Sequence, residues 1–182
     1  MSYTPSEMVA DAVGVLAEYG ISPSGRERLG ELLRRLGRDP GVIDSVELAG
    51  LHGSGSMATI LATGSDGSVL MLARFPTEAP TPIHDHNSWG LGCVIRGRDH
   101  HVLYRHTEGG IDPGRARLEV VEERLLEVGD LLFFGPPPDD IHSQQGVDEA
   151  AYELVLFGHD PNALPRRYFD LATGAVEQHS AV

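Results

Sequence analysis

The sequence has a single cysteine, Cys93, so no disulfide can form within the chain, which suits a reducing, cytoplasmic setting. No apolar run approaches the roughly 18 residues that cross a bilayer as a helix. The opening residues, MSYTPSEMVADAV, lack the basic start and apolar stretch of a secretory signal. Basic residues are scarce as well: 14 against 27 acids gives a formal charge of −13. Such a surface repels nucleic acid and anionic lipid and offers no basic stripe, so neither is an expected partner. A buried pocket can still carry its own local sign, and a small-molecule partner is not excluded.

What is present is an ordinary globular composition over 182 residues, 41% hydrophobic and 23% charged, enough for one core. In "SEMVADAVGVLAEYG", Met8, Val9, Ala12, Val15, Leu16 and Tyr19 recur at helical spacing, with Gly20 as C-cap. A second helix is read in "SPSGRERLGELLRRLGRDPG", capped by Ser22 or Ser24, with Leu29, Leu32, Leu33 and Leu36 as its apolar face. From about residue 42 the pattern changes to short β-like runs. These are Val42–Leu48, Met57–Thr63, Ser68–Phe75, Ser88–Arg96, His100–His106, Arg117–Glu122, Leu131–Phe134 and Tyr152–Phe157, separated by Gly-, Pro- and Asp-rich breaks. A short strand is also expected in the tail. The expectation is mainly β: a helical cap over residues 1–41 and a β-barrel over 42–182, forming one structural unit.

The chemistry is concentrated in histidine. His84 and His86 stand two apart, and residues i and i+2 of a strand face one side with Cα atoms roughly 7 Å apart. Both imidazoles can therefore address one metal ion while Asp85 points away. A third ligand must come from a distant segment, and His142, after the turn-rich "GPPPDD", is the best candidate. His52, His100, His101, His106, His159 and His179 are read as surface or hydrogen-bonded histidines.

"PIHDHNSWGLGCVIRG" together with the later "GD…PPDDIH" resembles the two metal motifs of the cupin superfamily, and more narrowly those of the thiol dioxygenases. The His-Asp-His block, the Trp89-Gly90 that follows and the closing "LPRRYFDLATGAV" carry the resemblance, which spans roughly Val42 to Val176 in layout. It implies a double-stranded β-helix (jelly-roll) barrel, Fe(II) on His84, His86 and His142, and oxidation of a small thiol such as cysteine or a mercapto acid by O₂. Other cupins offer a glutamate soon after the second histidine; here Trp89, Gly90 and Leu91 stand there. A site of three neutral imidazoles carries one more positive charge than a two-His, one-carboxylate site, and so favours an anionic ligand.

The sequence also departs from that family. Where thiol dioxygenases carry a Ser-x-His-x-Tyr relay, "YELVLFG" has Glu153, Val155 and Phe157. Glu153 is read as an acid/base or a partner for a substrate amine. Arg166 (or Arg167) is read as the carboxylate anchor, with Arg166 favoured by position, and Trp89 and Phe157 as further substrate contacts. Three other readings stay open: a three-His cupin cleaving a diketone or enol, a zinc site, and a non-catalytic metal-binding cupin. The residues give no oligomeric state.

Overall fold

A computed structural model describes residues 2–39, 41–42, 58–107 and 114–180. Two helices come first, α1 (Pro5–Tyr19) and α2 (Pro23–Gly37). Thr4 opens α1 with a capping box, its hydroxyl accepting from the Glu7 amide while the Glu7 carboxylate accepts from the Thr4 amide at 2.9 Å. Ser22 caps α2, accepting from Gly25 N at 3.2 Å, and the helix ends at Arg38.

Eleven strands follow among the described residues: β1 (Ala58–Thr63), β2 (Val69–Phe75), β3 (Ile83–His84), β4 (Gly90–Arg96), β5 (Asp99–His106), β6 (Leu118–Leu126), β7 (Leu131–Phe134), β8 (Ile141–Gly146), β9 (Ala151–Phe157), β10 (Arg166–Phe169) and β11 (Val176–His179). They form two antiparallel sheets, ordered β1-β2-β9-β4-β7 and β11-β10-β3-β8-β5-β6. Most neighbours are non-consecutive strands, as in a jelly roll, where the chain crosses repeatedly between two facing sheets. The architecture is mainly β, two antiparallel sheets with helices at its start, as expected. The expected strand over 42–48 and the expected start at Met57 lie outside the described residues, except Val42, which lies in a helical turn.

The central strands of the five-stranded sheet, β2, β9 and β4, are buried on both faces, and β9 shows why. Its sequence AYELVLF alternates two sets of side chains, and every residue is buried. Tyr152, Leu154 and Leu156 face the helices and share a core with Met8, Val9, Ala12, Leu29, Leu33 and Leu36. Val155 and Phe157 face inward, packing with Met71, Val94, Leu132 and Phe134. Leu29, Leu33 and Leu36 are fully excluded from solvent, each contributing roughly 1.5–3 kcal/mol by burial. The helical segment read as a cap is therefore a layer of the same core, lying on the outer face of this sheet.

Candidate metal centre

The six-stranded sheet brings the histidines together. His84 ends the two-residue strand β3 and lies directly opposite His142 on β8, in antiparallel register. Residues paired this way have Cβ atoms roughly 5 Å apart, so 58 residues of separation collapse to one cross-strand pair. His86 lies past the strand end, where the chain turns at Asn87 with φ 55°, a left-handed conformation that asparagine tolerates. Asp140 fixes that turn: its Oδ2 accepts from His86 N at 3.1 Å and from Asn87 N at 2.7 Å.

The three Nε2 atoms converge. His86 Nε2 is 3.1 Å from His84 Nε2 and 2.8 Å from His142 Nε2. Among the described residues, these three form the cluster able to hold a metal ion. Two nitrogens bound at a right angle to one ion about 2.1 Å away are roughly 3 Å apart, so both separations fit a shared ion. The tautomers fit as well. His84 Nδ1 donates to Pro82 O at 2.8 Å, which leaves its Nε2 lone pair facing the centre. His142 Nδ1 is 3.0 Å from Nε2 of His101, an orienting contact of the kind that metal-ligating histidines make. Burial pushes all three ligand candidates below the ordinary histidine range, His84 to about 4, with the Arg166 charge adding to the shift. They are neutral imidazoles at pH 7, the form that binds metal.

The rings are held by aromatic packing. Phe134 stacks on His86 with centroids 5.4 Å apart and planes 21° apart, and Phe157 lies 4.9 Å from the same ring. Gly90 makes room for Phe134, because a Cβ there would sit 2.1 Å from the ring.

The triad opens into a cavity of about 620 Å³ whose walls include Met71, Leu132, Phe134, Val155 and Phe157. Its polar groups, apart from the histidines, include Thr81, Gln144, Glu153, Asn162, Arg166 and Tyr168. Of the residues expected at the site, Arg166, Glu153 and Phe157 line this cavity. Trp89 does not. It packs at the edge of the core shared by the helices and the five-stranded sheet, with its indole against Gly158. The strand alternation explains this: Leu91 and Cys93, two and four residues on, join the same core. Cys93 is buried there, and burial pushes its thiol up to about 12.

Neighbouring arginines have different fates. Arg167 pairs with the fully buried Asp85 through its side chain, and its backbone N donates to Asp85 Oδ1 at 2.8 Å. Asp85 does point away from the triad, and this pair is what holds it there. Arg166, half-buried at the cavity wall, makes no ion pair or hydrogen bond with any described residue, which leaves its guanidinium open to a ligand.

Two residues were missed from sequence. His101 orients His142. The pair His100-His101 lies on one strand, so alternation had to send one ring inward; His100 instead meets Glu123 at 2.7 Å on the exposed side. Asp140, the clamp on the His86 turn, sits in a proline-rich loop where no periodicity marks it.

No family model matches the chain. Among solved structures, the dimethylsulfoniopropionate (DMSP) lyase DddQ from Ruegeria pomeroyi is 20% identical with a TM-score of 0.41, covering 55% of this chain and 45% of that one. Oxalate oxidase is 19% identical with a TM-score of 0.44, covering 60% and 55%. A cupin-superfamily protein from Desulfitobacterium hafniense is 16% identical with a TM-score of 0.40, covering 57% and 76%. The chain spans about half the length of the lyase and the oxidase.

Proposed function

We propose that the protein is a metal-dependent oxygenase that holds ferrous iron on His84, His86 and His142 and uses O₂ to oxidise a small thiol. One observation carries the reading: three neutral imidazoles converge on one point of a largely apolar cavity, with no carboxylate among them, beside a guanidinium that has no partner among the described residues. When bound, ferrous iron supplies O₂ activation and acidifies a coordinated thiol. The protein's own residues do the rest. Arg166 anchors a substrate carboxylate by a charge-assisted, bidentate contact. Leu132, Phe134, Val155 and Phe157 keep water from the reacting end. His101 holds the His142 ring, and Asp140 holds the His86 backbone.

A second reading, a three-His cupin acting on an enol or diketone, is favoured by the wall itself. Val155 and Phe157 cannot relay protons, and a cavity of about 620 Å³ is more room than cysteine fills. Metal analysis followed by O₂ uptake with a panel of thiols and β-diketones separates the two. Uptake with a thiol after ferrous loading supports the first reading. Uptake with diketones alone supports the second, and tightly held zinc with no uptake discards both.

A further inference from the structure

The wall beyond the histidines carries a second polar cluster. Asp99, at the start of β5, and Glu153, in the middle of β9, are both fully buried. Gln144 on β8 bridges them: its Nε2 donates to Asp99 Oδ2 and to Glu153 Oε2, each at 3.0 Å. Asp99 is completed by Gln145 N, which donates to Oδ1 at 3.1 Å. Glu153 is not completed. Glu153 lines the cavity, and its buried Oε1 has no hydrogen-bond partner among the described residues. Gly92 is shaped to this group, since a Cβ there would lie 3.1 Å from Glu153 Oε2.

The charge is incomplete as well. Two carboxyls joined through one amide cannot both ionise in a buried site, so they hold one proton between them and one negative charge. Burial and the Asp99 charge push Glu153 well above the usual carboxylate range, and burial raises Asp99 to about 6. The chain contains no lysine, and no arginine or histidine forms an ion pair with either carboxyl among the described residues. A buried charge with no counter-charge is costly, and a cavity-facing one can be neutralised by a ligand.

We propose that Glu153, backed by Asp99 and Gln144, is a subsite for a cationic group of the substrate, an ammonium held on the unpartnered Oε1. The proposal rests on the metal-site reading for where the other end of the substrate lies. His142 and Gln144 are two apart on β8 and face one side, roughly 7 Å from Cα to Cα. A substrate bridging the two ends carries its metal-binding atom and its ammonium on a short linker of about two to four carbons. Arg166 then takes a carboxylate where one is present.

Two arms test this. In the first, n-butylammonium and 1-butanol are titrated into the full chain as purified. The wild type is expected to bind the ammonium at least tenfold more tightly, and Glu153→Gln to bring the two within twofold. Equal binding in the wild type, or a preference surviving in E153Q, overturns the subsite. Should E153Q not fold, the side-chain amide resonances of Gln144 in the wild type decide. They shift on adding the ammonium, and unmoved resonances overturn the subsite. In the second arm, 2-aminoethanethiol and its isostere 1-propanethiol are added anaerobically to the iron-loaded chain. A spectral change at tenfold lower concentration of the aminothiol supports the subsite. An equal response to both removes it and leaves the metal reading standing. No response to either, with the ammonium preference intact in the first arm, removes the thiol reading and leaves the subsite.

Discussion

The two ends of the cavity are built from the same strand and carry opposite needs. At one end His142 and its partners present neutral nitrogens with Arg166 nearby, a place that lacks negative charge. At the other end, two residues along β8, Gln144 ties together two acids that lack a positive one. Neither end is complete among the described residues. A purely structural polar tie would satisfy all its own atoms, because buried polar groups without partners are costly and rare. Here Arg166 and Glu153 line the same cavity, and the difference between the ends gives the space a polarity that a substrate can match.

The largest break in this contrast comes from removing a ligand. His142→Ala should lower bound metal to background and abolish any metal-dependent turnover, measured by metal analysis after gel filtration. Full metal content in H142A would show that the triad is not the site. A step smaller is His101→Phe, which keeps an aromatic ring but removes the nitrogen facing His142 Nδ1. Loss of such an orienting partner lowers metal affinity by about 10–100-fold, and competition with a chelator reads it. His101→Asn, which can still hydrogen-bond, should recover part of that loss; H101F with unchanged affinity would make His101 a packing residue only.

Much of this was legible beforehand, for identifiable reasons. Leu131–Phe134 was read at its observed bounds, and β2, β4, β5 and β9 to within two residues, because β-branched and aromatic runs between turn signals are the usual mark of a buried strand. The strand expected through His84 and His86 stops at His84, and the polar β8, IHSQQG, escaped, since Ser-Gln-Gln has little strand propensity. Those two strands pair His84 with His142, so the geometry of the site lay in the least readable part of the sheet. Trp89 was misplaced by following motif proximity, when alternation along β4 puts its neighbours on the helix side. The carboxyl cluster was half legible. Glu153 shares a strand face with Val155 and Phe157, but Asp99 and Gln144 meet it only across the barrel, 54 and 9 residues away.

The adjacent arginines sharpen the contrast at the histidine end. Arg166→Met removes the open guanidinium and should raise KM for carboxylate-bearing thiols about tenfold, with carboxylate-free aminothiols unaffected. Arg167→Met strands the buried Asp85 instead, and should cost about 3 kcal/mol of stability in denaturant titration. Should R166M shift both substrate classes equally, Arg166 would be acting on the metal ligands through its charge and not as an anchor.

The smallest effect is the one that distinguishes the two ends by pH alone. In the metal-free chain His84 titrates at about 4, against roughly 6.5 when unfolded. Below pH ~6.5 the unfolded chain therefore binds more protons, and the histidine end loses stability as pH falls. The carboxyl end has the opposite slope. Asp99 is raised to about 6 and Glu153 well above the usual carboxylate range, against roughly 4 when unfolded. As pH rises from ~4 through 6 and beyond, the folded state is the one holding extra protons, so stability falls with rising pH. Glu153→Gln removes the buried acid and, with it, most of that alkaline fall. The variant should be more stable than wild type by about 1–2 kcal/mol at pH 8, and the gap should narrow steadily toward pH 5. Denaturation midpoints of both proteins across that range measure it. A gap that stays constant with pH would mean that the two carboxyls do not share a proton, and the cavity would then lose its acidic end.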